Sequence, residues 1–313
     1  MKILITGAAG FIGSHTAEGF KKLGHEVVGL DNFNTYYDIE LKRLNVKDLV
    51  NAGVDVIEVD LRVEESYKPL PTDFDVIIHF AAQPGISSSC TFEEYLSNNI
   101  VATEKLIKFA HKNKNLKQFV NIGTSSIYGL EATFPESIAP MPASNYGVTK
   151  LAAEQLVLAE SRSKRLNACS LRLYSVYGPR ERPEKLYTKL IACAFNKEAF
   201  PLFNGSEKHL RSFTYVGDIV DGVLEVVNNY ESVNGEIINL GTEVEHTTKD
   251  GINFVEELLG QKIEMNVIEK RPGDQWRTNA NIDKAKKLLN YNPTTRLKEG
   301  LEKQIAWYKE KFL

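Results

Sequence analysis

Cysteine is scarce in this chain, with three thiols among 313 residues. Cys90, Cys169 and Cys193 form no C-x-x-C pair and no metal-ligand spacing, and their odd number excludes a fully paired disulfide framework. The six histidines have no metal-ligand spacing either, so no metal site is expected. Reduced thiols and a cytoplasmic location are therefore predicted.

Long apolar runs are also absent. No stretch approaches the roughly 20 apolar residues of a membrane-spanning helix. The run that opens MKILITGAAGFIGSH stops at Gly7 after about five residues, which is too short for the core of a signal peptide. The 38 basic and 41 acidic residues give a net charge of -3, so no general attraction to nucleic acid or to an anionic membrane is expected. Any anionic partner must be held by local groups.

The pattern of the apolar residues, which make up 42 % of the chain, indicates the fold. In the first half, short apolar runs alternate with amphipathic segments, as in a parallel sheet covered by helices. Helices are predicted at Phe11 to Leu23, Phe92 to Lys112 and Tyr146 to Ser161. The predicted strands are KILIT, EVVGL, VDVIEV, DVIIHF, QFVNIG and ACSLRL. Six strands with crossovers favour a doubly wound α/β fold over an eight-stranded barrel.

Three glycines spaced by three, Gly7, Gly10 and Gly13, follow the first strand and open the first helix in ITGAAGFIGSH. Glycine allows a tight turn and lets a pyrophosphate approach the N–H groups at a helix N-terminus. Asp31 ends the second strand, where a carboxylate accepts hydrogen bonds from an adenosine ribose and repels a 2′-phosphate. The pattern predicts NAD rather than NADP; the alternative is a purely structural turn.

The chain changes character after Arg172, where loops rich in proline, glycine and arginine replace the regular alternation. Two amphipathic helices end the sequence. We therefore predict a Rossmann-type NAD-binding domain at residues 1–178, to which residues 214–242 return. Residues 179–213 and 243–313 are predicted to form a smaller α/β lobe that binds the substrate.

Six motifs, TGAAGFIG, VDLR, HFAAQ, NNIVAT, YGVTK and RSFTYVGD, occur in the order found in the extended short-chain dehydrogenase/reductase family. The chain resembles that family over nearly its whole length, although Ala102 stands where the family usually has glycine. Beyond the three glycines and Asp31, the resemblance implies cofactor contacts at Phe11, Ile12, Asn32, Asp60, Leu61, Ala81, Ala82, Gln83, Asn99, Tyr146, Lys150 and Tyr174.

Tyr146 and Lys150 share one face of a predicted helix in SNYGVTKLAAEQ, because they lie four residues apart. A phenol of ordinary pKa, about 10, is a poor base at neutral pH until its anion is stabilised, and a nearby ammonium group is suited to do so. Helices contain such pairs by chance. Thr124 strengthens the interpretation, since it ends the fifth strand and resembles the family's hydroxyl that bonds the reacting oxygen. Together they predict hydride chemistry at a sugar hydroxyl.

The second lobe, by the same resemblance, binds a nucleotide diphosphate sugar through Arg182, Arg211, Arg271 and Asp274. These residues are expected to hold the diphosphate and the uridine ribose. Guanidinium groups suit phosphate because they donate paired hydrogen bonds without losing their charge. For Arg180, pairing with nearby acidic side chains is the preferred interpretation.

Two segments, DNFNTYYDIELKR and YSVYGPRERP, resemble those of UDP-glucuronate 4-epimerases. Ser126 stands where related decarboxylases have glutamate, and the acid pair of related 4,6-dehydratases is missing from TSSIYG. The resemblance therefore implies NAD-dependent 4-epimerisation of UDP-glucuronate to UDP-galacturonate by transient oxidation at C4, rotation of the 4-keto sugar and return of the hydride. The hydroxyls expected to hold the hexuronate carboxylate are those of Thr124, Ser125, Ser126 and Ser175.

Three alternatives remain open: a 4-epimerase of a neutral UDP-hexose or UDP-N-acetylhexosamine, a UDP-glucuronate decarboxylase, and an NAD-binding protein without catalysis. A homodimer is predicted because, in resembling enzymes, the helices at 92–112 and 146–161 pair across a two-fold axis. The residues assigned either to that interface or to the core are Leu106, Ile107, Leu151 and Leu156.

Overall fold

A parallel sheet of seven strands forms the centre of the protein in a computed structural model that describes residues 1–87, 89–270 and 273–313. The strands are β1 (Lys2–Thr6), β2 (Glu26–Asp31), β3 (Asp55–Glu58), β4 (Val76–His79), β5 (Gln118–Thr124), β6 (Glu131–Ala132), β7 (Ala168–Leu173), β8 (Val176–Tyr177), β9 (Phe200–Phe203), β10 (Leu210–Arg211), β11 (Thr214–Tyr215), β12 (Ile237–Leu240), β13 (His246–Thr247), β14 (Met265–Ile268) and β15 (Arg277–Thr278). The central sheet has the order β12-β7-β5-β4-β1-β2-β3. The predicted doubly wound α/β class is confirmed.

Helices alternate with the strands of this sheet. They are α1 (Phe11–Lys22), α2 (Ile39–Asn51), α3 (Phe92–Tyr95), α4 (Ala102–Ala110), α5 (Asn145–Arg162), α6 (Leu186–Asn196), α7 (Val216–Asn228), α8 (Thr248–Leu259), α9 (Asp283–Leu289) and α10 (Leu297–Phe312). Between α3 and α4 the chain forms a π-helix at Leu96–Val101, so the helix predicted from 92 to 112 has a wider turn in its middle. Within the described residues, no helix combines the length and apolar character needed to cross a bilayer.

All six predicted strands are present in the central sheet, and the seventh, β12, pairs in parallel with β7. The strand order reverses at β1, which lies between β2 and β4. In open α/β sheets the carboxyl ends of the strands beside such a reversal frame the ligand crevice. The fold therefore positions a site after β1, β4 and β5.

A second sheet of four short strands has the order β13-β10-β15-β6. Three of its strands come from the last third of the chain, but β6 follows β5 directly and pairs with β15. Two further strand pairs, β11 with β8 and β14 with β9, connect the remaining loops. The residue boundaries assigned to the two lobes stay a prediction.

Apolar clusters cover both faces of the central sheet. Ile3 and Ile5 of β1 lie in one cluster and Leu4 lies in the other, as the two-residue alternation of a strand requires. Leu106 and Ile107 are buried in the second cluster and belong to the core rather than to an exposed face. A third cluster joins α6, α8 and α10. Both faces of the sheet are thus covered, and its C-terminal edge remains for ligands.

Candidate active site

A cavity of about 710 Å³ opens at the C-terminal edge of the central sheet, between that sheet and the loops of the second lobe. This volume lies within the usual range of small-molecule sites. Nearly all of the predicted site residues line it, including the glycine turn, Tyr146, Lys150, Arg182 and Arg211. Asn99 and Tyr174 lie behind its wall, and Arg271 falls outside the described residues. The fold thus brings together residues from positions 7 to 275.

The glycine turn is packed so closely that side chains do not fit. Gly7 has a φ of +69°, in the left-handed region, and a Cβ there would lie 2.8 Å from the backbone nitrogen of Ala81. A Cβ on Gly13 would lie 2.3 Å from the Gly7 carbonyl oxygen. Gly10 caps α1 without a side-chain hydrogen bond, so the first N–H groups of that helix remain available as donors to a ligand. This cradle fits the pyrophosphate of a dinucleotide.

Asp31 is buried at the end of β2 and forms an ion pair that the sequence did not predict. The Lys42 ammonium group of α2 lies 3.2 Å from Asp31 Oδ1, which also accepts a hydrogen bond of 2.9 Å from the Phe33 N–H. Both interactions use the same oxygen, so Oδ2 remains to accept from a ribose hydroxyl. The ammonium group also offsets part of the carboxylate's negative charge. Lys42 lines the cavity beside Asp31.

Asp60 lines the same end of the cavity but carries its own partner. The Arg62 guanidinium group donates two short hydrogen bonds to the carboxylate, at 2.9 Å and 2.6 Å. These bonds from Arg62 lower the pKa of Asp60, which keeps it ionised. A cofactor contact by this side chain stays a prediction.

The carboxyl end of β5 carries three hydroxyls on a tight turn. Thr124 Oγ1 accepts from the Ser126 N–H at 3.2 Å, and the turn continues as a 3₁₀ helix over Ser125–Tyr128. Gln275, a residue that the sequence analysis missed, is buried against this turn and donates to the carbonyls of Gly129 at 2.8 Å and Ser125 at 3.3 Å. A neutral amide from the second lobe therefore holds the hydroxyls in place.

Helix α5 delivers Tyr146 in its first turn and Lys150 in its second. Ser144 caps the helix by accepting from the Gly147 N–H at 3.1 Å. A Cβ on Gly147 would lie 2.7 Å from the Ser126 carbonyl oxygen, so glycine lets the helix contact the β5 turn. This contact is what brings the phenol close to the strand-end hydroxyls.

Burial and neighbouring charges act in opposite directions on Tyr146. Burial raises the pKa of the phenol, whereas a hydrogen bond to Thr124, the positive charge of Arg182 and the Gly85 N–H act to lower it. Burial dominates among these effects of the protein's own groups. The stabilisation of the phenolate by the Tyr146–Lys150 pair stays a prediction. Arg182 was predicted only as a phosphate ligand, so its effect on the phenol is an addition to the sequence analysis.

Lys150 is 3 % exposed, and burial lowers the pKa of its ammonium group to about 8. The negative charge of Glu154, one helical turn further on, acts to raise the pKa. The lysine is therefore still mostly protonated at neutral pH and supplies positive charge to the cavity.

Asn99 occupies the π-helix and fixes two walls of the site. Its carboxamide oxygen accepts from the Gln83 N–H at 2.7 Å, and its amide group donates to Thr149 Oγ1 of α5 at 3.0 Å. π-helical turns are rare and often occur at functional sites. Asn99 thus links the segment at Gln83 to α5, while its predicted cofactor contact stays a prediction. The same holds for Tyr174, whose side chain is wholly buried.

A buried chain of hydrogen bonds, also missed by the sequence analysis, ties the π-helix to the glycine turn. Thr103 donates to the Asn99 carbonyl at 2.6 Å, so it must accept from His79 Nε2, 2.9 Å away. His79 Nδ1 then accepts from Thr6, 2.8 Å away, and Thr6 accepts from the Ala81 N–H at 3.2 Å. Burial lowers the pKa of His79 to about 3, so the imidazole is neutral. The chain holds the backbone at Ala81 in position.

The far end of the cavity carries the predicted phosphate and ribose ligands. Arg211 donates to Asp274 at 3.2 Å, and His209 lies 3.5 Å from the same carboxylate. Arg182 pairs with Glu184 at 2.8 Å, and Ser175 lies 3.4 Å from Thr278 of the small sheet. Arg182 and Arg211 make this the cationic end of the cavity, and each of them is paired with an acid, Glu184 or Asp274.

Arg180 turns away from this cavity. Its guanidinium group lies 2.7 Å from Glu18 and 3.0 Å from Asp48, which agrees with the preferred interpretation of acid pairing. The side chain is largely buried rather than on the surface, because it joins α1 and α2 to the loop that carries Arg182.

The family model that matches this chain over residues 3–241 is that of the NAD dependent epimerase/dehydratase family. The chain belongs to this family. Membership confirms the predicted relationship to nucleotide-sugar short-chain dehydrogenases and the predicted use of NAD. The glycine cradle described above fits this cofactor. The individual site residues stay predictions.

Several relatives of this family member cover nearly its whole length or all of it. A Bacillus subtilis protein described as an uncharacterized UDP-glucose epimerase is 35 % identical, with 98 % of each chain covered. The Arabidopsis thaliana UDP-glucuronate 4-epimerase 3 is 34 % identical over 98 % of this chain and 76 % of its own. A UDP-glucuronic acid 4-epimerase from Bacillus cereus, solved with UDP-glucuronic acid and NAD, is 34 % identical with a TM-score of 0.92, and each chain is covered completely.

Proposed function

We propose that this epimerase-family member interconverts UDP-glucuronate and UDP-galacturonate by NAD-dependent 4-epimerisation. The observation that carries the proposal is the β5 turn, where Thr124, Ser125 and Ser126 place neutral hydroxyls at the cavity and no carboxylate stands at position 126. The similarity to the Bacillus cereus enzyme solved with UDP-glucuronic acid and NAD supports the same substrate.

The cofactor cradle, Tyr146, Thr124, Lys150 and Arg182 each have a role in this reaction. The cradle of Gly7, Gly10 and Gly13 would hold NAD, which would supply reversible hydride transfer with the sugar. Tyr146 removes the proton of the C4 hydroxyl and later gives it back, with Thr124 bonding the same oxygen. Lys150 and Arg182 supply the positive charge that favours the phenolate. Arg182 acts to lower the pKa of Tyr146, and Lys150 lines the same cavity one helical turn further along α5.

The turn at β5 also explains why the carboxylate of the sugar survives. Oxidation at C4 of glucuronate gives a β-keto acid, which loses CO₂ readily. Hydroxyls of Ser125, Ser126 and Ser175 hold the carboxylate by neutral hydrogen bonds, and no acid at position 126 is available to act on the ketone. Inversion then needs only rotation of the 4-keto sugar before the hydride returns to its other face.

Product analysis tests the proposal. The purified enzyme is incubated with UDP-glucuronate, the nucleotide sugars are separated, and released CO₂ is measured. We expect UDP-galacturonate without CO₂. A UDP-pentose with CO₂ would identify a decarboxylase, and an absence of turnover with UDP-sugars in a protein that retains NAD would identify a non-catalytic member.

A neutral UDP-hexose is the second candidate substrate. It is favoured by the Bacillus subtilis relative, whose description names UDP-glucose. The two candidates differ only in the group at C6, which the hydroxyl cluster contacts. Competition between UDP-glucuronate and UDP-glucose in the same assay separates them, because the preferred substrate is consumed first.

We also propose that the enzyme is a homodimer in the cytoplasm. Apolar side chains remain more than a third exposed on the two helices predicted to pair: Phe92, Leu96, Val101 and Val148. Such a row on neighbouring helices fits a self-complementary interface. Sedimentation should give the mass of two chains, and a single-chain mass at micromolar concentration would contradict it.

The cytoplasmic location is supported by three unpaired thiols and is checked by cell fractionation.

A further inference from the structure

Glu181 is a buried carboxylic acid in the cavity that the proposed reaction does not use. It lies in the loop between β8 and α6, is 6 % exposed, and lines the cavity together with Arg182 and Lys185 of the same loop. An acid here is unexpected, because this end of the cavity is otherwise rich in cationic groups suited to a diphosphate.

The partners of Glu181 are all neutral. Its Oε2 atom accepts from Gln304 at 2.9 Å, from the Thr188 hydroxyl at 3.1 Å and from the Thr188 N–H at 3.3 Å. Among the described residues, no cation forms an ion pair with it. A buried carboxylate without a paired cation is costly to ionise. Burial raises the pKa of Glu181 to about 7, although the bond from Gln304, the charge of Lys185 and the bonds from Thr188 act to lower it.

The surroundings of Glu181 contain few groups that titrate near neutrality. The tyrosines Tyr177 of β8 and Tyr187 of α6 are buried, and burial raises the pKa of each phenol. The charged groups that line the main cavity or the small cleft behind it on this side include the cations Arg180, Arg182, Lys185 and Lys311 and the acids Asp48 and Glu184. Asp48 pairs with Arg180 and Glu184 pairs with Arg182, whereas Glu181 has no paired cation among the described residues. Glu181 is therefore the acid of this surface whose charge can change when an anion arrives.

We infer that Glu181 is a positioning residue that couples the binding of the UDP diphosphate to the uptake of a proton. The inference rests on the proposed binding of a UDP-sugar. An ionised Glu181 offsets the positive field of Arg182 and Lys185 and repels the diphosphate. The neutral acid neither offsets that positive field nor repels the diphosphate. Hydrogen bonds with Thr188 and Gln304 hold it in position. Protonated Glu181 is thus the binding-competent form.

The direction of the pH dependence follows from this preference. A ligand that binds the protonated form better must raise the pKa of Glu181 in the complex, so binding takes up a proton. Affinity for the UDP-sugar is then constant below about pH 6 and falls as the pH rises through the pKa of the free acid. The fall is at most roughly tenfold per pH unit for one linked proton. The diphosphate of a UDP-sugar is fully ionised over this range and does not contribute.

Calorimetry at pH 7.5 measures the linked proton directly. UDP-glucuronate is titrated into the NAD-loaded enzyme in phosphate and in Tris, whose ionisation enthalpies differ, so the difference in heat gives the number of protons taken up. We expect more than half a proton for the wild type. We expect almost none for Glu181→Gln, with an affinity that stays constant between pH 6 and 8.5.

Glu302→Gln is the matched control, since it makes the same charge change at an exposed position of α10. It should take up the same number of protons as the wild type. Lys150, whose pKa burial lowers to about 8, also titrates in the cavity, and the comparison of the wild type with Glu181→Gln separates its contribution. An equal proton count for wild type and Glu181→Gln, or no uptake by the wild type, would overturn the inference. If Glu181→Gln does not fold, the inference is tested by the affinity of the wild type between pH 6 and 8.5. A fall in affinity over this range supports it, and a constant affinity overturns it. Failure of both UDP-glucuronate and UDP-glucose to bind at any pH would instead refute the proposed function.

Discussion

Tyr146→Phe is expected to lower turnover of UDP-glucuronate by about a hundred- to ten-thousand-fold, the usual contribution of a positioned acid-base group. The variant keeps the aromatic ring but has no phenol to move the proton of the C4 hydroxyl. Affinity for NAD and UDP-glucuronate should change little, because the glycine cradle and the cationic end of the cavity remain intact. Steady-state kinetics and calorimetry on the same preparation measure the two effects separately.

Tyr95→Phe is a suitable control for this variant. The Tyr95 ring lies 6.2 Å from that of Tyr146, and its hydroxyl bonds the loop at Gly85 and Ser87 rather than the reacting position. Removing that hydroxyl should cost far less activity. Equal losses in the two variants, or full activity in Tyr146→Phe, would show that Tyr146 does not carry the proton.

Arg172→Met is expected to reduce the free energy of unfolding by about 3–5 kcal/mol, as for other buried ion pairs that lose one partner. Arg172 and Glu154 are both fully buried, and the guanidinium group donates to the carboxylate at 2.6 Å and 3.0 Å. Without Arg172, the Glu154 charge stays in the core, where Ser170, at 3.1 Å, is its one remaining side-chain partner among the described residues. Urea denaturation measures the loss.

The double variant Glu154→Met with Arg172→Met should recover much of this stability, because it leaves no unpaired charge in the core. Lys303→Met is the surface control: its ion pair with Glu299 is about half exposed, so removing it should cost far less stability than Arg172→Met. A loss in Arg172→Met no larger than that of the control would mean that the buried pair does not stabilise the fold.

The buried pair also bears on the site. Glu154 lies one turn after Lys150 on α5, and a Cβ on Gly123 would lie 3.4 Å from both members of the pair. The pair therefore packs directly beneath the strand that ends in Thr124. We attribute the position of that strand relative to α5 partly to these two residues.

The sequence predicted those features that depend on local patterns. Alternating apolar runs marked the strands, and the spacing of Gly7, Gly10 and Gly13 marked the cofactor cradle, because both follow from the geometry of a single element. Tyr146 and Lys150 were found for the same reason. Their helix begins within one residue of the predicted position.

What the sequence did not predict depends on contacts between distant segments. Gln275 reaches the β5 turn across the lobe boundary, and Lys42 of α2 reaches Asp31 at the end of β2. Neither contact leaves a periodic signal. The π-helix at 96–101 was also missed, since an apolar pattern of helical period does not distinguish one wide turn in an otherwise regular helix.

The exchange of strands between the two sheets has a consequence for folding. β6, from the first half of the chain, completes the small sheet beside β15, while β12, from the second half, completes the large one beside β7. These pairings join residues more than sixty positions apart, and such non-local contacts slow folding. Neither lobe is a contiguous segment that contains its whole sheet, so both must assemble together. The strand pairings between distant segments therefore hold the two walls of the cavity together, and the cavity does not form by the docking of two lobes that have folded separately.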